Sequence, residues 1–184
     1  MSFRYEVRLS GAGGQGLILA GKVIAEAAAI YDNKTATQSQ SYGPEARGGA
    51  SRSEVIISDD VIDYPKAENL DFLLALTQEA ADKYYKDLKK GGILLVDSQF
   101  VTHIPKGEFV VYQIPITETA KNVLGKALVA NLVALGIFTS LSAVVSPKAI
   151  ESAILSRVPK GTEELNLNAF RKGLELGRSS KSHG

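Results

Sequence analysis

Cysteine is absent from the 184 residues, which excludes a disulfide and any iron–sulfur cluster held by thiolates of this chain. Histidine is almost absent. His103 follows an apolar strand and has no partner at ligand spacing, and His183 falls in the terminal SSKSHG, so no metal site is expected. An excess of one charge is missing too: 21 Lys and Arg stand against 20 Asp and Glu, a net charge of +1. No basic run exceeds Lys89-Lys90, so neither nucleic acid nor a membrane surface is expected as a partner. The start, MSFRYEVRLSGAGG, lacks a basic segment leading into an apolar one, so export is not expected and a cytoplasmic place is. Charge itself is missing from Ala127 to Pro147, long enough to raise a membrane span. Asn131, Thr139, Ser140, Ser142, Ser146 and a central Gly136 argue instead for a buried helix.

What remains has the composition of a single globular domain, 45% hydrophobic and 22% charged, long enough to bury a core. RYEVRLS alternates Tyr5, Val7 and Leu9 with Arg4, Glu6 and Arg8, the pattern of a strand with one buried face. GAGGQG follows directly. Next, Leu17, Ala20, Ile24, Ala27 and Ala28 form one helical stripe, giving the first half of a βαβ unit. A short second strand is expected at 34–38, then a polar loop, then a third strand at 53–58. The apolar runs at 71–77, 93–97 and 108–114 predict covered strands, with a polar helix from Gln78 stopped by Gly91-Gly92. Helices follow: TETAKNVL, the uncharged helix, SPKAIESAIL with Ser146 as its cap, and LNAFRKGLELG. The fold class is α/β: one domain over 1–178, a doubly wound, mostly parallel sheet flanked by helices, with a helical C-terminal third and a disordered tail at 179–184.

Gly11, Gly13 and Gly16 fit G-x-G-x-x-G between strand and helix. Residues without Cβ let backbone approach a ligand, and a helix N-terminus offers unpaired N–H groups to an anion. Three readings stand: a dinucleotide cradle, a site for another anion, or close packing alone. The dinucleotide reading lacks its usual acid at the end of the second strand, where ATQSQS stands. Asp32 has a suitable separation from Gly11 but precedes that strand.

The stretch QSQSYGPEARGGASRSE, 38–54, is polar and bears Glu45, Arg47 and Arg52 among glycines. Gly43 and Pro44 favour a turn, and Gly48-Gly49 permit positive φ beyond Arg47. Such a turn would hold Arg47 and Glu45 at the carboxyl edge of the sheet, beside the glycine loop; the alternative is a solvated surface connection. GAGGQG with YGPEARGG, then DFLLALTQEAADKY and GGILLVDS, resembles the gamma subunit of 2-oxoacid:ferredoxin oxidoreductases in order and spacing from Val7 to about Gly177. DYPK at 63–66 and LALTQEA at 74–80 are most similar to the 2-oxoglutarate enzyme; the pyruvate, branched-chain and indolepyruvate enzymes are close cousins.

The resemblance implies a multi-subunit enzyme that decarboxylates a 2-oxoacid, passes the acyl group to coenzyme A and reduces ferredoxin. Alpha, beta and ferredoxin-like subunits would be partners, with thiamine diphosphate, Mg and iron–sulfur clusters held outside this chain. The gamma component would help form the coenzyme A site. By motif position the ligand-facing residues are Gly13, Gly14, Gln15 and Gly16 with Tyr42, Gly43, Glu45, Arg47 and Gly48, and none carries an acid–base or nucleophilic role. The resemblance also moves the uncharged helix toward a subunit interface and implies that the free chain forms a homo-oligomer. The alternative is a stand-alone nucleotide-binding module using the same glycine loop.

Overall fold

A computed structural model describes residues 3–42 and 50–183. Six strands form one sheet: β1 (Arg4–Ala12), β2 (Thr35–Tyr42), β3 (Ala50–Ser58), β4 (Leu70–Ala75), β5 (Leu88–Asp97) and β6 (Val110–Ile114). Their order is β2-β3-β1-β4-β5-β6. β1, β4, β5 and β6 are parallel, whereas β3 is antiparallel to both β1 and β2. Five strands therefore point one way, and β3 alone is reversed. β1 and β2 are parallel with β3 between them, so the expected βαβ unit is split by a hairpin arm.

The helices are α1 (Leu17–Glu26), α2 (Gln78–Tyr84), α3 (Ile116–Leu124), α4 (Ala130–Ser142), α5 (Pro147–Arg157) and α6 (Glu163–Ser182). All five residues of the predicted α1 stripe are buried. The Ser146 side chain accepts from Ala149 N–H, capping α5 as expected. One apolar core joins α1 and α3–α6 to a face of the sheet. A second joins α2, Ala67 and Val101 to the other face. No helix among the described residues is long and apolar enough to cross a membrane.

Four expectations change. β2 and β3 are longer than predicted and take up most of the polar 38–54 stretch. Backbone pairing carries the ladder from Thr35↔Ser58 to Tyr42↔Ser51, and Gln38 Nε2 adds a bond to Ser53 Oγ at 3.1 Å. Arg52 is accordingly a strand residue. The helix opened by Gln78 ends at Tyr84, because Leu88 already pairs with Leu70 and Gly91 at φ 80° sits within β5. Glu6 and Arg8 are buried although they lie on the polar face of β1. Glu6 Oε1 accepts from Glu68 N–H at 2.7 Å, and Arg8 donates to Ala67 O at 2.9 Å. Finally, α6 runs on through 179–182, residues expected as tail.

The uncharged helix α4 is corrected most. Residues 130–139 are all buried, covered by α6 of the same chain. A Cβ at Gly173 would overlap the Val133 carbonyl, and one at Gly136 would overlap the Phe170 carbonyl, so the two backbones touch. α4 belongs to the core, while Leu128 of the same uncharged stretch, just ahead of it, is 80% exposed.

Candidate functional site

Ser10, next to last but one in β1, pairs with Ala75 at the end of β4, and their connections leave to opposite faces of the sheet. The first passes through the glycine loop into α1; the second passes through Thr77 into α2. A parallel sheet opens a crevice where neighbouring strands part in this way. The same rim holds the hairpin. Ala12 pairs with Ala50, and Ser51 pairs with Tyr42, so the segment 43–49 leaves and re-enters the sheet beside the glycine loop. Gly43, Glu45, Arg47 and Gly48 lie outside the described residues, and Tyr42 is placed by its backbone alone.

The glycine loop is shaped by its own glutamine. Gln15 folds back so that its Oε1 accepts from Ala12 N–H at 2.6 Å, filling the space that a Cβ at Gly11 would take. The Gln15 side chain thus braces the loop from inside rather than presenting its carbonyl to a ligand. Gly13 and Gly14 are exposed. Gly14, at φ 82°, has open space where a Cβ would stand. Gly16 caps α1 in the left-handed conformation at φ 73°; no side chain caps that end, and its first turn holds no acid. Those first-turn amides retain the partial positive charge of a helix start.

Across the rim is a cleft of about 50 Å³, lined among others by Gly11, Ala12, Ala50, Thr77, Lys83 and Tyr84. Thr77 Oγ1 accepts from Ala80 N–H at 3.2 Å and so caps α2. Arg52 lies 5.6 Å from the Tyr84 ring centroid, is held by Ser41 Oγ at 2.8 Å, and approaches Glu54 at 3.5 Å. Lys83 lies 5.4 Å from the same ring. Lys83, Glu79 and Tyr84 thus line the crevice, and Arg52 reaches the Tyr84 ring from β3. Lys83 and Tyr84 escaped sequence reasoning because only the β1–β4 pairing brings α2 to this rim. Their signal was the apolar run of β4 ending directly before a capping threonine.

Asn131 is a second residue missed by sequence. Its Nδ2 donates to Gly16 O at 3.2 Å across 115 residues of chain, and its Oδ1 has no partner among the described residues.

Asp32 stands elsewhere. It precedes β2, at the opposite edge of the sheet, where its carboxylate accepts from Ser146 N–H at 2.7 Å and Oγ at 2.8 Å. β2 ends in Gln40, Ser41 and Tyr42, so no acid meets a ribose from that strand. The dinucleotide reading is left without its anchor. His103 presents its backbone to Gln78, and no group of three or more potential metal-ligating side chains occurs among the described residues.

The pyruvate ferredoxin/flavodoxin oxidoreductase family matches residues 6–176. The 2-oxoglutarate synthase subunit KorC of Methanocaldococcus jannaschii is 53% identical over 180 residues, covering 97% of this chain and 96% of that protein. Its counterpart in Methanothermobacter thermautotrophicus is 49% identical over 179 residues, covering 94% and 95%. The crystal structure of a keto/oxoacid ferredoxin oxidoreductase gamma subunit from Geobacter sulfurreducens superposes with a TM-score of 0.90. It is 58% identical, over 97% of this chain and 98% of that one.

Proposed function

The chain belongs to the pyruvate ferredoxin/flavodoxin oxidoreductase family, and on that premise we propose that it serves a 2-oxoglutarate:ferredoxin oxidoreductase as its gamma subunit, with its glycine-loop rim forming part of the coenzyme A site. The observation that carries the substrate is end-to-end similarity, about half of all positions, to two subunits named for 2-oxoglutarate synthase. The reaction is oxidative decarboxylation of the 2-oxoacid to an acyl-CoA, with electrons passed to ferredoxin. Thiamine diphosphate with magnesium, between alpha and beta subunits, and iron–sulfur clusters in the beta and ferredoxin-like subunits supply that chemistry. This chain, without cysteine, holds none of the clusters on thiolates. The enzyme works in the cytoplasm.

The rim suits a ligand with several phosphates. The first-turn amides of α1 and the open outer side of Gly14 offer main-chain donors without a competing acid. Arg47, carried by the neighbouring segment, supplies a guanidinium for a charge-assisted pair with a phosphate, and Glu45 orients it. Lys83 adds positive charge in the crevice beside Glu79, and Arg52 stands near it against the Tyr84 ring. None of these groups transfers a proton to substrate; their work is binding and orientation.

Reconstituting the complex with its partner subunits under anaerobic conditions tests the assignment. With coenzyme A and ferredoxin present, kcat/KM for 2-oxoglutarate should exceed that for pyruvate by ~10-fold or more, since the second carboxylate must be met by paired polar groups. Equal or reversed values would assign the chain to another member of the family.

A further inference from the structure

Asn131, the second residue of α4, is 5% exposed and sits against the start of α1. Its Nδ2 donates to Gly16 O, the oxygen that also accepts Ala20 N–H at 3.2 Å to open the helix. A Cβ at Gly16 would overlap the Asn131 amide, so the left-handed bend and the asparagine fit only together. Asn131 also borders a cavity of about 10 Å³ whose other lining residues, Leu9, Leu17, Leu74 and Phe138 among them, are all apolar. A water there would find Asn131 as its only polar side chain, whereas buried waters commonly make about three hydrogen bonds. Such a cavity offers a water too few partners, and Oδ1 finds none among the described residues. A leucine of similar volume would remove that burden, so fold stability alone does not account for an asparagine here.

We propose that Asn131 is a positioning residue for the glycine loop: from the core side it fixes the carbonyl of Gly16 and thereby aims the first-turn amides of α1 at an anionic group of coenzyme A. The aim rests on the coenzyme A reading of the rim; the clamp on Gly16 does not. α4 is packed backbone to backbone on α6, so the donor comes from a closely packed part of the core. Such a residue acts by preorganisation and touches no substrate.

The test uses the assembled enzyme carrying Asn131→Leu, with Asn131→Asp as the near-isostere that lacks the donor. Amide hydrogen exchange at Ala20, whose N–H bonds the clamped Gly16 carbonyl, should quicken ~10-fold in both, while the rest of α1 stays protected. The KM for coenzyme A should rise ~10-fold while kcat at saturation stays within about twofold, the signature of lost binding preorganisation. The unfolding midpoint of the leucine variant should hold or rise. If leucine blocks assembly, Asn131→Ala gives the same readouts without added bulk. Unchanged exchange at Ala20 overturns the clamp itself. Quickened exchange with an unchanged coenzyme A KM removes coenzyme A from the rim, and the positioning role with it.

Discussion

Arg8 shows how much a single buried charge organises. Its guanidinium meets Asp87 at 2.5 Å, Glu54 at 3.1 Å and the Ala67 carbonyl, and lies 4.8 Å from the Tyr84 ring centroid. It ties the sheet to α2 and to the 59–69 segment, holding Tyr84 where it lines the rim. Removing it strands two carboxylates, one of which is 45% exposed at its side chain and can turn to water. Arg8→Ala should therefore lower stability by ~3 kcal/mol, the low end for a broken buried pair. Urea denaturation of the purified chain measures this; a loss below ~1 kcal/mol would mean that Arg8 is dispensable. Tyr5 makes a prediction in pH. Burial first, and then the Asp71 carboxylate, push its phenol above the ordinary range. The folded protein thus keeps a proton that the unfolded chain releases, and stability falls as pH rises past ~10. Tyr5→Phe should flatten that alkaline decline in melting temperature, and an identical decline would contradict the assignment. The alternation in β1 marked Arg8 and Glu6 as one face and Val7 and Leu9 as the other. It was silent on what covers the polar face, since that cover comes from residues about 60 positions away.

Among elements, the α4–α6 pair is the clearest case of composition read correctly and context supplied only by the fold. An uncharged stretch with scattered hydroxyls was legible as a buried helix. The hydroxyls are satisfied within the chain, Thr139 Oγ1 by Leu135 O and Ser140 Oγ by Leu174 O, both at 2.8 Å. Its cover was illegible, because α6 carries only a thin apolar stripe and seats α4 through glycines rather than bulk. Gly173→Ala drives a methyl into the Val133 carbonyl, an overlap that no rotamer relieves. Overpacking of this kind should cost ~3 kcal/mol. Gly177→Ala meets Ser140 Cβ and, less closely, the Ile137 carbonyl, and should cost less, ~2 kcal/mol. Thermal melts of both variants give the comparison, and equal losses would contradict backbone-to-backbone seating. The hairpin shows the opposite failure. Serine and glutamine weakened the strand signal at 38–42, yet the ladder depends on main-chain groups and formed regardless.

For the whole molecule, chain order alone gave the α/β class and the rim at which the parallel strands end. The reversed β3 could not be read, because a hairpin arm and a crossover strand share the same apolar pattern. Its effect is that Tyr42 and Ala50, the strand residues flanking 43–49, end at the same rim as Ala12 of the glycine loop. This rim, on the function proposed above, receives the phosphates of coenzyme A. Gly14 offers the most direct probe, because a side chain there meets nothing within 4 Å, and Asp and Asn, the residues that best tolerate its left-handed φ of 82°, carry the same backbone strain. In the reconstituted complex, Gly14→Asp should raise the KM for coenzyme A at least ~10-fold, as like charges about 4 Å apart repel by ~1–4 kcal/mol. Gly14→Asn, equal in shape but neutral, should change it little, and neither should alter the KM for 2-oxoglutarate. A fully assembled Gly14→Asp enzyme with unchanged coenzyme A KM would contradict the claim.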